Sequence, residues 1–183
     1  MITKEKERKT YADYAALDEG APYQFIDGEL VISPSPTHYH QTTLLNLVLM
    51  LQRFVVENSL GEVYVAPFDV KLSETEVYQP DLLFVSAERL TIIGEQQVNG
   101  APDLVVEVLS PATGYYDLTK KRRVYEVSGV KEYWIVDPTE RAVEVLENVD
   151  GTYQTVAKIY QKGRAASRLL EGFDVDLERL FAL

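Results

Sequence analysis

Cysteine is absent from this chain of 183 residues. That removes disulfides, thiolate metal sites and cysteine nucleophiles together, and it fits a reducing compartment. Histidine is nearly as scarce, with only His38 and His40 present. A histidine-rich metal centre is thereby excluded, and a Ser-His-Asp triad would depend on one of those two rings. No GxSxG elbow exists to present the serine. Neither GxGxxG nor a glycine-rich loop running into Lys-Ser/Thr occurs, so the common phosphate-cradling motifs are missing. No apolar run reaches the length of a bilayer span, and the charged start MITKEKERKT is not a secretory signal. The expectation is a soluble, cytoplasmic protein with no membrane partner and no organic cofactor.

Positive charge is also in short supply. The chain carries 29 acidic and 18 basic residues, a net charge of −11. Proteins that grip DNA through phosphates usually show a basic footprint. The global charge therefore weighs against tight non-specific nucleic-acid binding, while leaving room for a local patch. The hydrophobic fraction of 46% and the charged fraction of 26% are those of a globular protein. The length suits one domain, 1–183, with a substantial core. No repeat, low-complexity tract or linker divides it.

Taken in order, Thr10 to Asp13 has the form of a capped helix start, and a short helix runs to about Glu19, ending at Gly20. This is an N-terminal extension over 1–20, with the core expected over 23–160. YQFIDGELVIS (23–33) reads as a hairpin about Asp27-Gly28, followed by the extended loop Ser33-Pro34-Ser35-Pro36. From His38 to Asn58 the residues Leu44, Leu47, Val48, Leu51, Phe54 and Val55 recur at helical spacing, giving one long amphipathic helix stopped near Gly61. Strands follow over 62–71, 81–85 and 103–109, with 87–100 as helix or loop. A second helix spans 117–128, closed by Gly129, and KEYWIVDP (131–138) is the next strand. Segments 142–146 and 153–160 form another hairpin around Asp150-Gly151, and the tail ends in a short helix. Strands mixed with a few helices give an α/β (α+β) domain with a central mixed β-sheet flanked by helices and with N-terminal and C-terminal β-hairpins.

The stretch that carries chemistry is 101–110, APDLVVEVLS. It is an apolar strand of the kind that lies inside a covered sheet, yet Glu107 sits in its middle. An ionised carboxylate there is costly unless a metal, a cation or hydrogen bonds compensate. The period of two puts Asp103, Val105, Glu107 and Leu109 on one face. Upstream, QPDLLFV (79–85) is a second short strand, with Asp81 at its start just after a proline. Two carboxylates on neighbouring strands form half of a divalent-metal site. The structural alternative for Asp81 is a turn carboxylate capping backbone amides. Asp103, at the start of its strand, reads as structural.

In this order the motifs resemble the restriction-endonuclease-like superfamily, PD-(D/E)XK. Pro80-Asp81 supplies the PD and Glu107 the acidic member. More closely the chain is similar to the Uma-type endonucleases. The resemblance rests on YQFIDGELVISPSPTHYHQ, VYQPDLLFV, GAPDLVVEVLSPAT, DLTKKRRVYEVSGVKEYWIVDP and the closing hairpin, from about Tyr23 to Tyr160. It implies hydrolysis of phosphodiester bonds in DNA, with Mg²⁺ or Mn²⁺ held by Asp81, Glu107 and the Val108 carbonyl. The superfamily lysine, two residues after the acidic one, is replaced here by Leu109. The resemblance implies that Lys121, on the following helix, takes its place. Asp117, Lys121 and Tyr125 share a helical face. The competing reading makes KKRR at 120–123 a solvated face and Asp117–Lys121 a surface pair.

The same resemblance brings Glu29 near the site as a third ligand or a contact to metal-bound water, against an exposed hairpin glutamate. His40 is an auxiliary base or phosphate contact, against a helix cap or a surface imidazole. Tyr125 reads first as core packing, with proton donation as the alternative. Gln24 stands where the family commonly has glutamate and is given no role. Lys120, Arg122, Arg123, Lys158, Lys162, Arg164 and Arg168 could supply phosphate contacts if they border the carboxylates. A homodimer is expected from the way small nucleases cut two strands. The alternative function is a non-catalytic member of the same fold acting as a protein-interaction or assembly module, with the tyrosine-bearing hairpin at 142–160 as its surface.

Overall fold

The computed structural model describes residues 9–18, 21–33, 35–110 and 117–182. Its centre is a six-stranded mixed sheet in which β8 (Leu104–Val108) lies between β6 (Leu82–Ser86), antiparallel to it, and β9 (Glu132–Asp137), parallel to it. Every residue of β8 is buried, as its two-faced apolar run requires. β3 (Gly61–Val65) closes one edge, while β10 (Ala142–Val149) and β11 (Thr152–Tyr160) extend the other.

A second sheet, in the order β2-β1-β5-β4-β7, joins β1 (Tyr23–Ile26) and β2 (Glu29–Ile32) to β4 (Asp69–Lys71), β5 (Val77–Tyr78) and β7 (Gln97–Asn99). Both expected hairpins are present. Asp27 and Gly28 have φ of 53° and 72°, and Asp150 and Gly151 have 52° and 81°, the paired positive angles that a two-residue hairpin turn needs. A small third sheet pairs β12 (Arg164–Ala166) with β13 (Asp174–Asp176).

The alternation of β6, β8 and β9 separates two cores. Leu82, Phe84, Leu104, Val106, Val108, Trp134 and Val136 face α2 (His38–Glu57) and the C-terminal elements. Leu83, Val85, Val105, Tyr133 and Ile135 face the second sheet and α3 (Arg122–Ser128). Helix α2 is amphipathic in the way its spacing demands: Leu47, Leu51 and Val55 are each 1% exposed. The Thr37 side chain accepts from the His40 N–H at its start, and Asn58 Nδ2 donates to the Phe54 carbonyl at its end.

Several expected boundaries shift. The strand read over 62–71 is two strands in different sheets, β3 and β4. Pro67 lies between them and has no N–H to continue a ladder. Helix α1 covers only Tyr11–Ala15, and its expected end at Glu19-Gly20 lies outside the described residues. The stretch 87–100 contains a short 3-10 helix, Ala87–Ile92, and then β7. The helix expected over 117–128 opens as a π-helical turn, Asp117–Lys121, before α3. The last helix, α4, covers Leu177–Leu180.

Two buried carboxylates tie these layers together. Glu132, 0% exposed, accepts four hydrogen bonds. Trp134 Nε1 and Ser167 Oγ donate to Oε1, both at 2.7 Å; the Arg168 and Leu169 N–H groups donate to Oε2 at 2.6 and 3.0 Å. It thus pins the loop after β12 to the central sheet. Asp103, also 0% exposed, holds Lys131 at 2.7 Å and Arg89 at 2.8 Å and accepts from the Ser86 N–H. Burial alone raises its pKa, but the bonds from Lys131, Ser86 and Arg89 outweigh that and hold it below the ordinary value. This is the structural role expected for Asp103.

Glu132→Ala leaves four donors unpaired and should cost about 3 kcal/mol or more, lowering Tm by roughly 6–12 °C in calorimetry. A depressed carboxyl stabilises the fold above its unfolded pKa, near ~3.9, and that contribution is lost as pH falls through the folded value. Asp103→Asn should therefore lower stability at neutral pH and flatten its fall in acid, read by denaturant titration across pH.

Candidate active site

The site forms where the β6–β8 ladder ends. Leu82 faces Val106 in that ladder, and one step further along the same register sets Asp81 opposite Glu107. Pro80 stops the pairing there, since it offers no N–H. Val108, next to Glu107, donates its N–H to Asp81 Oδ2, so the two carboxylates lie at the same end of these strands. Both line one cleft.

Glu107 is 2% exposed, and so is Lys121. Lys121 Nζ lies 3.0 Å from Glu107 Oε1, and the Tyr125 hydroxyl donates to the same oxygen at 2.8 Å. KKRR is thus not a uniformly solvated face, because its second lysine turns inward. The π-helical turn ends at Lys121, and α3 carries Tyr125 four residues on. Leu109, at the superfamily lysine's position, packs against the second core instead.

Tyr125 touches Tyr78 edge-on at 5.5 Å and Tyr133 at 5.3 Å. Burial, and then the negative charge of Glu107, push its hydroxyl well above the usual tyrosine range. It therefore stays protonated and serves as a fixed donor. Core packing and hydrogen bonding to the site are one role for this residue.

Asp81 is held through Oδ2, which accepts from the Val108 N–H at 2.7 Å and from His40 Nε2 at 3.1 Å. An ionised carboxylate can only accept, so in this contact His40 donates through Nε2. His40 is 6% exposed. It is neither a surface imidazole nor the cap of α2, a task that falls to Thr37. Glu29 is exposed at the start of β2 and does not line the cleft.

Gln24 does line it, 6% exposed, with Oε1 accepting from the Gln79 N–H and Nε2 donating to Ser33 Oγ. It braces the backbone just ahead of Pro80-Asp81. Sequence reasoning gave it no role. Its place on the strand face of Ile26, alternating inward from the hairpin, is the signal that could have found it.

The cleft has a volume of about 410 Å³, with a polar floor of Gln24, His40, Asp81, Glu107 and Lys121. Aliphatic residues also line it: Leu44, Leu45 and Val48 from α2, with Val65, Ala66 and Pro67 at and after the end of β3. Among the described residues Lys121 is the one lysine or arginine that lines it. The other cations do not. Lys120 lies 3.7 Å from Asp27, Arg123 pairs with Glu126, Lys158 with Glu144 and Arg164 with Asp174. Lys162 lines a separate recess beside Arg141.

Two opposed carboxylates with the Val108 carbonyl next along β8 make a hard oxygen donor set, which suits Mg²⁺ or Mn²⁺. Among the described residues no group of three or more histidine and acidic side chains is placed to hold a metal. That still fits Mg²⁺, which keeps several waters and commonly takes one or two carboxylates. No helix is long and apolar enough to cross a membrane.

Removing Lys121 would strand a buried negative charge. Lys121→Met should cost about 3–5 kcal/mol, and adding Glu107→Gln should recover part of that loss. A double-mutant cycle by chemical denaturation measures the coupling.

No curated protein matches. Among solved structures, the crystal structure of a "putative nuclease belonging to DUF820" from Anabaena variabilis ATCC 29413 superimposes with a TM-score of 0.79 at 18% identity, covering 94% of this chain and 97% of that one. At that identity the likeness establishes a shared fold. Residues 9–178 match the Uma2 family, described as "Putative restriction endonuclease". The chain belongs to the Uma2 family.

Proposed function

We propose that this protein hydrolyses phosphodiester bonds in DNA with Mg²⁺ or Mn²⁺ held by Asp81, Glu107 and the Val108 carbonyl. The observation that carries the reading is the convergence of Asp81, Glu107 and Lys121 from three separate elements on one cleft. A buried ion pair is weak as a source of stability, so its retention at a cleft floor points to chemistry.

Each side chain has a task in this reading. Asp81 is fixed by the Val108 N–H and His40, so its carboxylate is preset and loses little freedom on ligation. Tyr125 and Lys121 fix Glu107 in the same way. Lys121 also places a desolvated positive charge where a phosphoryl group would develop negative charge, at an electrostatic strength that water would otherwise screen. His40 orients Asp81 through its Nε2 contact and is the imidazole that lines the cleft among the described residues. When bound, the metal would polarise a phosphoryl oxygen and lower the pKa of a water.

Calorimetric titration of Mg²⁺ and Mn²⁺ into wild type, Asp81→Ala and Glu107→Ala, with plasmid nicking in the same samples, tests this reading. Binding in the wild type and its loss in both variants, together with nicking, is the expected result. Absence of wild-type binding at millimolar metal would favour the non-catalytic interaction module. Lys121→Met should keep metal binding within a few-fold and lower kcat by about 10²–10³.

A further inference from the structure

We propose that the occupant of the cleft is an unpaired nucleotide, so that the protein acts on single-stranded DNA or single-stranded tails in preference to intact duplex. This rests on the nuclease reading above and specifies its substrate.

The first observation is how few cations line the cleft among the described residues. A duplex is gripped through many phosphates, which requires lysines and arginines spread along the binding face. Among the described residues the cleft is lined by Lys121 alone, and that lysine is buried on Glu107. Lys120, Arg123, Lys158 and Arg164 are set against carboxylates elsewhere. With a net charge of −11, long-range attraction of a duplex is weak.

The second observation is the exposed aliphatic part of the lining. Leu45 is 58% exposed and Val65 is 42% exposed, yet both line the cleft mouth, backed by Leu44, Val48, Ala66 and Pro67. Exposed aliphatic side chains in the same lining as carboxylates and amides match a flat apolar face with a polar edge. A nucleobase has that shape. Bases in a duplex are stacked and unavailable, and enzymes that need them must extract them or act on a single strand. Here the aliphatic lining takes the base by apolar contact, and the polar lining meets the sugar and phosphate.

The third is geometric. Asp81 and Glu107 sit at the bottom of this slot, both largely buried. A phosphodiester reaches them when its flanking nucleotide enters the cleft. The rigid backbone of a duplex presents its phosphates on a broad convex surface, and a single strand bends into the slot at little cost.

The test uses three labelled DNA oligonucleotides of one sequence: single-stranded, fully duplex, and duplex with a single-stranded tail. Each is assayed for cleavage with Mg²⁺ and Mn²⁺ by the full chain, and for binding by Asp81→Asn at low and high salt. The expected result is cleavage of the single strand and tail at least tenfold faster than duplex, with binding that changes little with salt. The neutral double variant Leu45→Gln/Val65→Thr should raise KM for the single strand on the order of tenfold, with kcat and metal binding kept. Both positions are exposed enough to leave the fold intact. Duplex cut as fast as single strand, or a KM unmoved by the double variant, would overturn the inference and leave the nuclease reading standing. No cleavage of any oligonucleotide, with metal bound, would overturn both.

Discussion

A carboxylate placed in the middle of a fully buried strand must be compensated, and much of this structure follows from how Glu107 is. Lys121 and Tyr125 converge on one of its oxygens from a π-helical turn and the helix after it. The pair is nearly inaccessible to water, where charge-assisted hydrogen bonds are strong and an unpaired charge is costly. That requirement fixes how α3 docks on the sheet. The ring contacts of Tyr125 with Tyr78 and Tyr133 then join the second sheet, the helix and the central sheet into one core.

Three buried carboxylates lie on or beside β8 and β9, and they are satisfied in different ways. Asp103 is held by two cations and a backbone N–H, and Glu132 by four neutral donors. Neither lines the cleft that holds Asp81. Glu107 shares its cleft with Asp81, at the point where Pro80 ends the ladder. The local end of pairing is what turns a structural problem into a candidate reactive site. Burial of an acid alone does not distinguish the three; access does.

The protein's charge takes on a specific meaning in this setting. Excess acid on the surface and ion pairing of several cations leave the cleft with one basic side chain among the described residues. Recognition then falls to the aliphatic lining and to whatever the floor can ligate. Glu29 is exposed outside the cleft, while the uncharged Gln24 braces the segment before Asp81 from within it.

Much of the fold was legible because its signals are local. The apolar period of α2, the Asp-Gly turns of both hairpins and the unbroken apolar run of β8 depend on near neighbours in the chain, and the sequence by itself determined them. It also determined that Glu107 would need a partner, since desolvation of a carboxylate does not depend on which residue answers it. Only the tertiary structure decided that the partner is Lys121, reaching in from a turn whose π-helical geometry has no sequence signature. The tertiary structure also decided that β3 and β4 part into separate sheets at Pro67, that Gln24 and His40 are drawn into the cleft, and that seven suspected phosphate contacts fall outside it. Which side chains share a cavity depends on the packing of distant segments against one another, and no periodicity within a single segment encodes that.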